Sequence, residues 1–472
     1  MANTPKARFR RQVRSFALLW TGITFILGAI TFIAIYAAYG SLTGTTPTDN
    51  LRNIAIPTGT TAAAAVPATS APQPTQAPAI AAVASATPQT AAQPTTQQKT
   101  ATPAPTPTLL PVDNKRFQLG VQVQVSFDQM DQWMNVAKNQ LSVNWVKEQV
   151  RWHDIETAKG TYDWAETDTY ITAAVAKNLN VLVSVVTAPD WAREPGVDLS
   201  KNGPPADPND YANFVVALLR RYPGKIQAVE VWNEENLDRE WTSTGGLSAA
   251  NYVTLLHTTY QAVKAVDPGV IVISGALSPT GVNDGKGAYD DFVYMDALIA
   301  AGLLNYTDCV GAHHNGYNVS PDYTYDQIPN DPSAIFRGPF DNPHHSWSFR
   351  STLQTYAAKI AQAPNNQGQK LCVTEFGWPS AEGLSGVPDG FDFAKDNTLD
   401  EQKDYTVKAL DFMKSSNFVW LAMLWNLNYG PQAGWAADND NVPYSIIGPN
   451  FVFRPVFDGV RDWNRAYEGT QK

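Results

Sequence analysis

The run Val229-Glu230-Val231-Trp232-Asn233-Glu234 decides the fold. Its first half is β-branched and apolar, the mark of a short strand buried on both faces in a parallel sheet. It then breaks into polar residues, Asn233 and Glu234 followed by Glu235, Asn236 and Asp238. A second run, Leu371-Cys372-Val373-Thr374-Glu375-Phe376-Gly377-Trp378, has the same form: apolar, then a carboxylate. Polar residues at the C-terminal ends of strands are where a (β/α)₈ barrel places its chemistry.

Outward from these two runs, strand-like and helix-like segments alternate, as in an α/β fold with parallel strands. The expected strands are 117–124, 145–150, 181–186, 228–232, 270–276, 309–312, 371–374 and 420–425. Helices are expected over 128–139, 211–222, 248–266, 290–301, 352–361 and 401–414, with a last one from Pro455. Ser248 is a good N-cap, and Asp267-Pro268-Gly269 stops the helix it starts. Eight strands, each followed by a helix or a long loop, predict one (β/α)₈ TIM barrel over residues 113–472. The loops 187–210, 315–351, 379–399 and 429–454 are long; they carry Trp191, Tyr317, Tyr323, Tyr325, Trp347 and Trp435, and Trp378 stands at the entry of the third. Long loops in a compact domain tend to be functional. Aromatic faces suit the C–H face of a sugar ring, although for any single one of these rings the simpler reading is that it packs its loop down.

The chain ahead of the barrel has three parts. Residues 1–14 carry Lys6, Arg8, Arg10, Arg11 and Arg14 and no acid. Residues 15–39 are uncharged and almost wholly apolar, longer than the roughly 20 residues that span a bilayer and longer than a signal-peptide core. The basic residues in front of them favour a cytoplasmic N-terminus. The expectation is a single-pass membrane anchor with the barrel outside the cell; the rival reading is a signal peptide cleaved near Ala37-Ala38-Tyr39-Gly40, which gives a secreted protein. Residues 40–112 are rich in Ala, Thr, Pro and Gln, and between Asn53 and Pro111 the only charge is Lys99, among eleven prolines. That composition predicts a disordered, extended linker.

The net charge is −10. With the five basic residues of the tail set aside, the rest carries −15, which argues against nucleic acid or anionic lipid as a partner of the barrel. The membrane enters only through the N-terminal helix, and the chain is expected to act as a monomer. The two cysteines, Cys309 and Cys372, give neither a disulfide framework nor a zinc motif. Export permits them to pair, and two buried thiols are equally compatible with their strand positions. The pairs His313-His314 and His344-His345 have no His-x-His or Cys cluster to complete a metal site, so no metal and no cofactor are expected.

These motifs together resemble clan A glycoside hydrolases, near the family 5 cellulase-like and family 39 xylosidase-like enzymes. Trp232-Asn233-Glu234 is similar to the clan's strand-four motif, whose Glu is the acid/base, and Thr374-Glu375-Phe376-Gly377-Trp378 to the strand-seven motif, whose Glu is the nucleophile. Trp152-His153-Asp154-Ile155-Glu156, with Gly160, Tyr162 and Trp164, resembles the segment after strand two. Gly311-Ala312-His313 resembles the strand-six motif, and Trp425 the strand-eight tryptophan beneath the reacting sugar. The chain departs from the pattern at Glu235, where the clan usually has Pro; at His314-Asn315-Gly316-Tyr317, where His-Pro-Tyr is more common; and at Lys147, in the place of an arginine, with Arg151 four residues on.

Two carboxyl groups on opposite sides of an anomeric carbon are the minimum equipment for hydrolysis with retention. The resemblance implies Glu234 as acid/base and Glu375 as nucleophile. It also implies Asn233 as a partner of the sugar 2-hydroxyl, and His313 and Tyr317 as residues that orient Glu375 or nearby hydroxyls. Trp425, Trp378 and Trp191 are expected to bind an oligo- or polysaccharide, and Lys147 and Arg151 to pair with carboxylates of the site. Glu148 and Glu235 read most simply as solvated glutamates. A non-catalytic carbohydrate-binding barrel and a transglycosylase remain as alternatives; the first need not keep both carboxylates, the Asn and the Trp together, and the second would share every one of these residues.

Overall fold

A computed structural model describes residues 116–329 and 344–470. The predicted tail, anchor and linker, 1–112, lie outside them. Among the described residues no helix is long and apolar enough to cross a membrane.

The eight strands are β1 (Gln118–Gln122), β2 (Trp145–Arg151), β3 (Asn180–Val186), β4 (Ala228–Val231), β5 (Ile271–Ser274), β6 (Val310–Asn315), β7 (Leu371–Gly377) and β8 (Val419–Leu424). They form one sheet in the order β5-β4-β3-β2-β1-β8-β7-β6, and every paired neighbour runs parallel. The parallel bridges Ile273–Cys309 and Leu277–Ala312 connect its two edges, so the barrel is nearly closed. Gly311 makes this seam possible: a Cβ there would lie 2.2 Å from the Ser274 carbonyl oxygen. Cys309 and Cys372 are disulfide-bonded with Cα atoms 5.8 Å apart, tying the entry of β6 to β7.

The helices between the strands are α1 (Met130–Asn135), α2 (Ala165–Ala176), α3 (Pro208–Arg221), α4 (Ala249–Val266), α5 (Asp291–Ala300), α6 (Phe349–Gln362), α7 (Leu399–Ser416) and α8 (Pro455–Gly469). Their starts follow local chemistry. The side chains of Asp207, Ser248, Asp290 and Ser348 accept backbone N–H bonds as N-caps, and Thr398 with Glu401 forms a capping box. The cap at Ser348 starts α6 three residues before the sequence expectation. Helix α2 was not foreseen: Thr167, Thr169, Ile171, Thr172 and Val175 weaken its helical propensity. Burial of Tyr170, Ile171, Ala174 and Val175 against the sheet stabilises it instead.

Strand alternation sorts the side chains into two cores. Val229 and Val231 of β4 face the helices. Ala228 packs inside the barrel with Trp145, Leu182, Ile273, Trp420 and the two cysteines. Above this apolar plug the interior turns polar, with Lys147, Ser184, Glu230 and Thr374 all buried.

Candidate active site

Glu230, in the middle of an apolar run, is the base on which the site rests. It is fully buried and accepts hydrogen bonds from Ser184 and from Thr374 Oγ1 at 2.5 Å. Lys147 Nζ lies 3.5 Å from its carboxylate and 3.0 Å from Glu375 Oε1. Burial alone would strip the Lys147 charge, but the two glutamates outweigh it and hold the ammonium above its ordinary pKa. A buried cation with two anionic partners satisfies the rule that interior charges are paired.

Glu375 reaches this cation because of an irregularity in β7. Ala312 pairs with Val373, and the next residue, His313, pairs with Glu375, so Thr374 is an extra residue. A bulge re-aims side chains. Here it lets Thr374 bond Glu230 while its neighbour Glu375 bonds Lys147. Glu375 also accepts from Gln149 Nε2 at 3.4 Å and Asn315 Nδ2 at 3.3 Å.

Glu234 is positioned by a contorted backbone. Trp232 and Glu234 have φ of 77° and 47°, in the left-handed region that non-glycine residues seldom occupy. Such positions cost about 1–3 kcal/mol each and persist where surrounding bonds over-determine them. The Trp232 amide donates to the Val185 carbonyl, the Glu234 amide to the Ala276 carbonyl, and the Asn236 side chain to the Ser278 and Tyr289 carbonyls. The Glu234 carboxylate meets His313 Nδ1 at 3.2 Å and Arg239 at 3.0 Å. Burial would raise its pKa, but the His313 hydrogen bond and the Arg239 charge pull it down to about 2. The other nitrogen of His313 has no hydrogen-bond partner and lies 3.8 Å from Glu375 Oε1, so one buried imidazole is hydrogen-bonded to Glu234 and stands within ion-pair range of Glu375. Burial would lower the His313 pKa; Glu375 and Glu234 raise it on balance.

Both glutamates open into a cavity of about 430 Å³. Arg151 at the end of β2 and Asn202, Arg239 and Glu240 from the loops after β3 and β4 line it, as do Tyr317, Phe391, Phe393, Trp425, Tyr429 and Tyr444 from the loops after β6, β7 and β8. Asn233 also lines it, its Oδ1 accepting from Gln149 at 3.2 Å. Of the residues expected from sequence, Glu234, Glu375, Asn233, Tyr317 and Trp425 therefore meet around one cavity, with His313 between the carboxylates. Lys147 pairs with Glu375 as expected, whereas Arg151 pairs with the exposed Asp154.

Trp378 and Trp191 do not join them. Trp378 is buried, donates to the Val319 carbonyl at 2.8 Å and packs on Gly316, where a Cβ would come within 2.3 Å of its ring. Trp191 donates to the Glu156 carbonyl at 2.7 Å and meets Trp152 edge-on. Both pin loops, because their indole N–H groups are spent on backbone carbonyls. Glu156 of the motif after β2 is structural too: it accepts from Trp152 Nε1 and the Gly160 amide, both at 2.6 Å.

The solvated reading of Glu235 is corrected. Glu235 is fully buried, neither carboxylate oxygen has a hydrogen-bond partner, and burial followed by the charges of Glu230 and Glu234 pushes its pKa up to about 8. Glu148 is half-buried, and burial raises its pKa well above the ordinary value. The sequence reading did not single out Glu230, Gln149, Asn315, Arg239 and Glu240. Strand periodicity could have found three of them: Gln149 is two residues from Lys147, Asn315 two from His313, and Glu230 is a charge in an apolar strand. Arg239 and Glu240 carry no such signal, since an irregular loop brings them back over Glu234.

The model of glycosyl hydrolase family 10 matches residues 111–272, the part of the chain that includes Glu234. No curated protein matches. Among solved structures, a family 39 glycoside hydrolase from the gut symbiont Bacteroides cellulosilyticus WH2 superposes with a TM-score of 0.55 at 16% identity, covering 75% of this chain and 64% of that one. This chain thus spans a little under two thirds of that protein. GH5_18 from Streptomyces cattleya, in complex with GlcNAc, gives 0.53 at 12% identity and covers 75% and 81%. A glucosidase from Croceicoccus marinus gives 0.51 at 14% identity and covers 75% and 69%. The fold is the one seen in these clan A glycoside hydrolases, as the motifs implied.

Proposed function

We propose that the chain is a retaining glycoside hydrolase that cleaves a β-linked glycan outside the cell, tethered by its N-terminal segment. The observation that carries this reading is that Glu234 and Glu375 line one open cavity with the buried imidazole of His313 between them, 3.2 Å from the first and 3.8 Å from the second. Retention calls for two carboxyl groups about 5–5.5 Å apart. In the first step Glu375 attacks the anomeric carbon, the glycosidic C–O bond breaks, and Glu234 gives its proton to the departing oxygen. In the second, Glu234 takes a proton from water, whose oxygen displaces Glu375 and restores both carboxyls. Asn233 binds the 2-hydroxyl, and Trp425 supports the sugar that reacts.

The free enzyme holds Glu234 ionised, and its role as acid needs a proton. Arg239 is the adjustable partner: its side chain is 68% exposed, while His313 is buried. Arg239 already has a second acceptor in Glu240, 3.6 Å from its Nε, so an aglycone entering beside it would have somewhere to move the guanidinium. Glu240 is pushed up to about 7, by burial and then by Glu234. Loss of the Arg239 charge raises the Glu234 pKa toward the range of a general acid.

The test is turnover of the full chain, in mild detergent, on a panel of β-linked polysaccharides and aryl glycosides, with the anomer of the first product followed by NMR. Release of the β-anomer, abolished in Glu375→Gln, is the expected result. Saturable glycan binding without turnover, unchanged by Glu375→Gln and Glu234→Gln, would replace the hydrolase with a carbohydrate-binding barrel. Transfer to added sugar acceptors in preference to water would make it a transglycosylase.

A further inference from the structure

The pair His344-His345 lies at the end of the loop after β6, in and next to a short helical turn, and the fold adds an acid to it that the sequence does not place nearby. This is Asp290, the N-cap of α5, 55 residues from His345. Asp290 Oδ1 accepts from the amides of Phe292 and Val293, at 2.9 and 3.2 Å, and its other oxygen lies 2.7 Å from His345 Nε2. One donor atom from each of Asp290, His344 and His345 lies within 4.8 Å of the other two.

A second observation points the same way. The far nitrogen of His345, Nδ1, is buried, has no hydrogen bond and faces Asp291 Oδ1 at 4.0 Å. Asp291 is itself fixed, accepting from Tyr356 Oη at 2.7 Å and the Thr280 amide at 3.1 Å. A metal-bound histidine characteristically offers its outer N–H to a carboxylate, which sets its tautomer and orientation. Phe292 stacks on the His345 ring at 3.7 Å and 15°, and the Ser346 hydroxyl lies 2.8 Å from His344 Nδ1.

We propose that Asp290, His344 and His345 bind one divalent transition-metal ion that clips the loop after β6 to the start of α5. Two imidazoles and one carboxylate match zinc and its neighbours, whereas magnesium and calcium take oxygen donors. A water completes the coordination. The ion's role is structural: Ser346, next in the chain to His345, holds His314 through its carbonyl at 3.1 Å, and His314 adjoins His313 of the cavity floor. The clip thus connects a rim loop to the strand that carries the central imidazole. It does not depend on the reaction proposed above.

The experiment uses the untagged full chain, stripped with chelator and titrated with Zn²⁺ by calorimetry and with Co²⁺ by visible absorption. One equivalent of each is expected to bind, with the d–d bands of nitrogen- and oxygen-ligated cobalt and a melting temperature that rises with Zn²⁺ concentration. Asp290→Asn preserves the helix cap, since Asn caps as well as Asp, yet removes the anionic ligand. It and His345→Gln should abolish the cobalt bands, and Asp291→Asn should weaken Zn²⁺ about 10–100-fold. Absence of saturable binding in the parent chain would overturn the proposal. So would an affinity that is unchanged in both ligand variants, or one that is lost in Glu375→Gln instead, which would move the ion to the cavity.

Discussion

The ends of β4 and β7 each present a glutamate to the cavity, and they hold it in different ways. Glu375 stays within a strand, and its donors Lys147, Gln149 and Asn315 stand on β2 and β6, inside the barrel wall. Glu234 lies past the end of its strand, on backbone in the left-handed region, with one buried partner and one exposed one. The first carboxylate has its donors in the barrel wall; the second has one of its two partners on an exposed side chain. The role of nucleophile proposed for Glu375 calls for the former. The acid/base role proposed for Glu234, which gives a proton and then takes one, calls for the latter.

Exchanging the two roles is the hardest test of this comparison. Glu375→Gln should lower kcat by roughly 10⁵-fold for every substrate, the scale of losing a nucleophile. Glu234→Gln should cost about 10²–10⁴-fold on glycans and less on aryl glycosides with acidic phenols, whose departure needs little protonation. Equal losses on both substrate types would place the acid elsewhere. The fixed half breaks at its cation. Lys147→Met leaves Glu230 and Glu375 buried without their ammonium partner, and denaturant melts should show a loss of about 3–5 kcal/mol.

The neighbours Glu234 and Glu235 sharpen the picture through opposite pH linkage. The Glu234 pKa is depressed, so its contribution to stability is present above about 4.5 and is lost as pH falls toward about 2. The Glu235 pKa is raised, so its contribution is complete below about 4.5 and is lost as pH rises through about 8. Glu235→Gln should therefore flatten the decline in stability between these values by a few kcal/mol, at about 1.4 kcal/mol per pKa unit; thermal melts from pH 4 to 9 measure it. The smallest effect concerns the adjustable partner. Arg239→Met should raise the Glu234 pKa in the free enzyme and move the alkaline limb of the kcat/KM profile upward by about one unit, with kcat changed less. A profile that does not move would leave Arg239 as a surface contact only.

Much of this was written along the chain. The eight strands, the cap at Ser248 and the two strand-end glutamates follow from near-continuous apolar runs, capping chemistry and sharp polar stops, all local signals. The long-range facts were not local. Whether Cys309 meets Cys372, or whether a loop Trp faces sugar or a backbone carbonyl, depends on which segments the barrel brings together. Trp378 and Trp425 look alike in sequence; the first is committed to the Val319 carbonyl and the second lines the cavity.

The sequence by itself determined the barrel, the pair of carboxylates and the His313 motif, because strand periodicity and strand ends are properties of neighbouring residues. Only the tertiary structure decided the electrostatics. Lys147 and Glu230 share a charge cluster with Glu375 because opposite strands face one interior. Glu235 loses water because the turn after β4 tucks it against Gly275, where a Cβ would lie 2.4 Å from its carboxylate. Asp290 joins His345 across 55 residues. The cost of a charge depends on what surrounds it, and the surroundings exist only once the chain has folded.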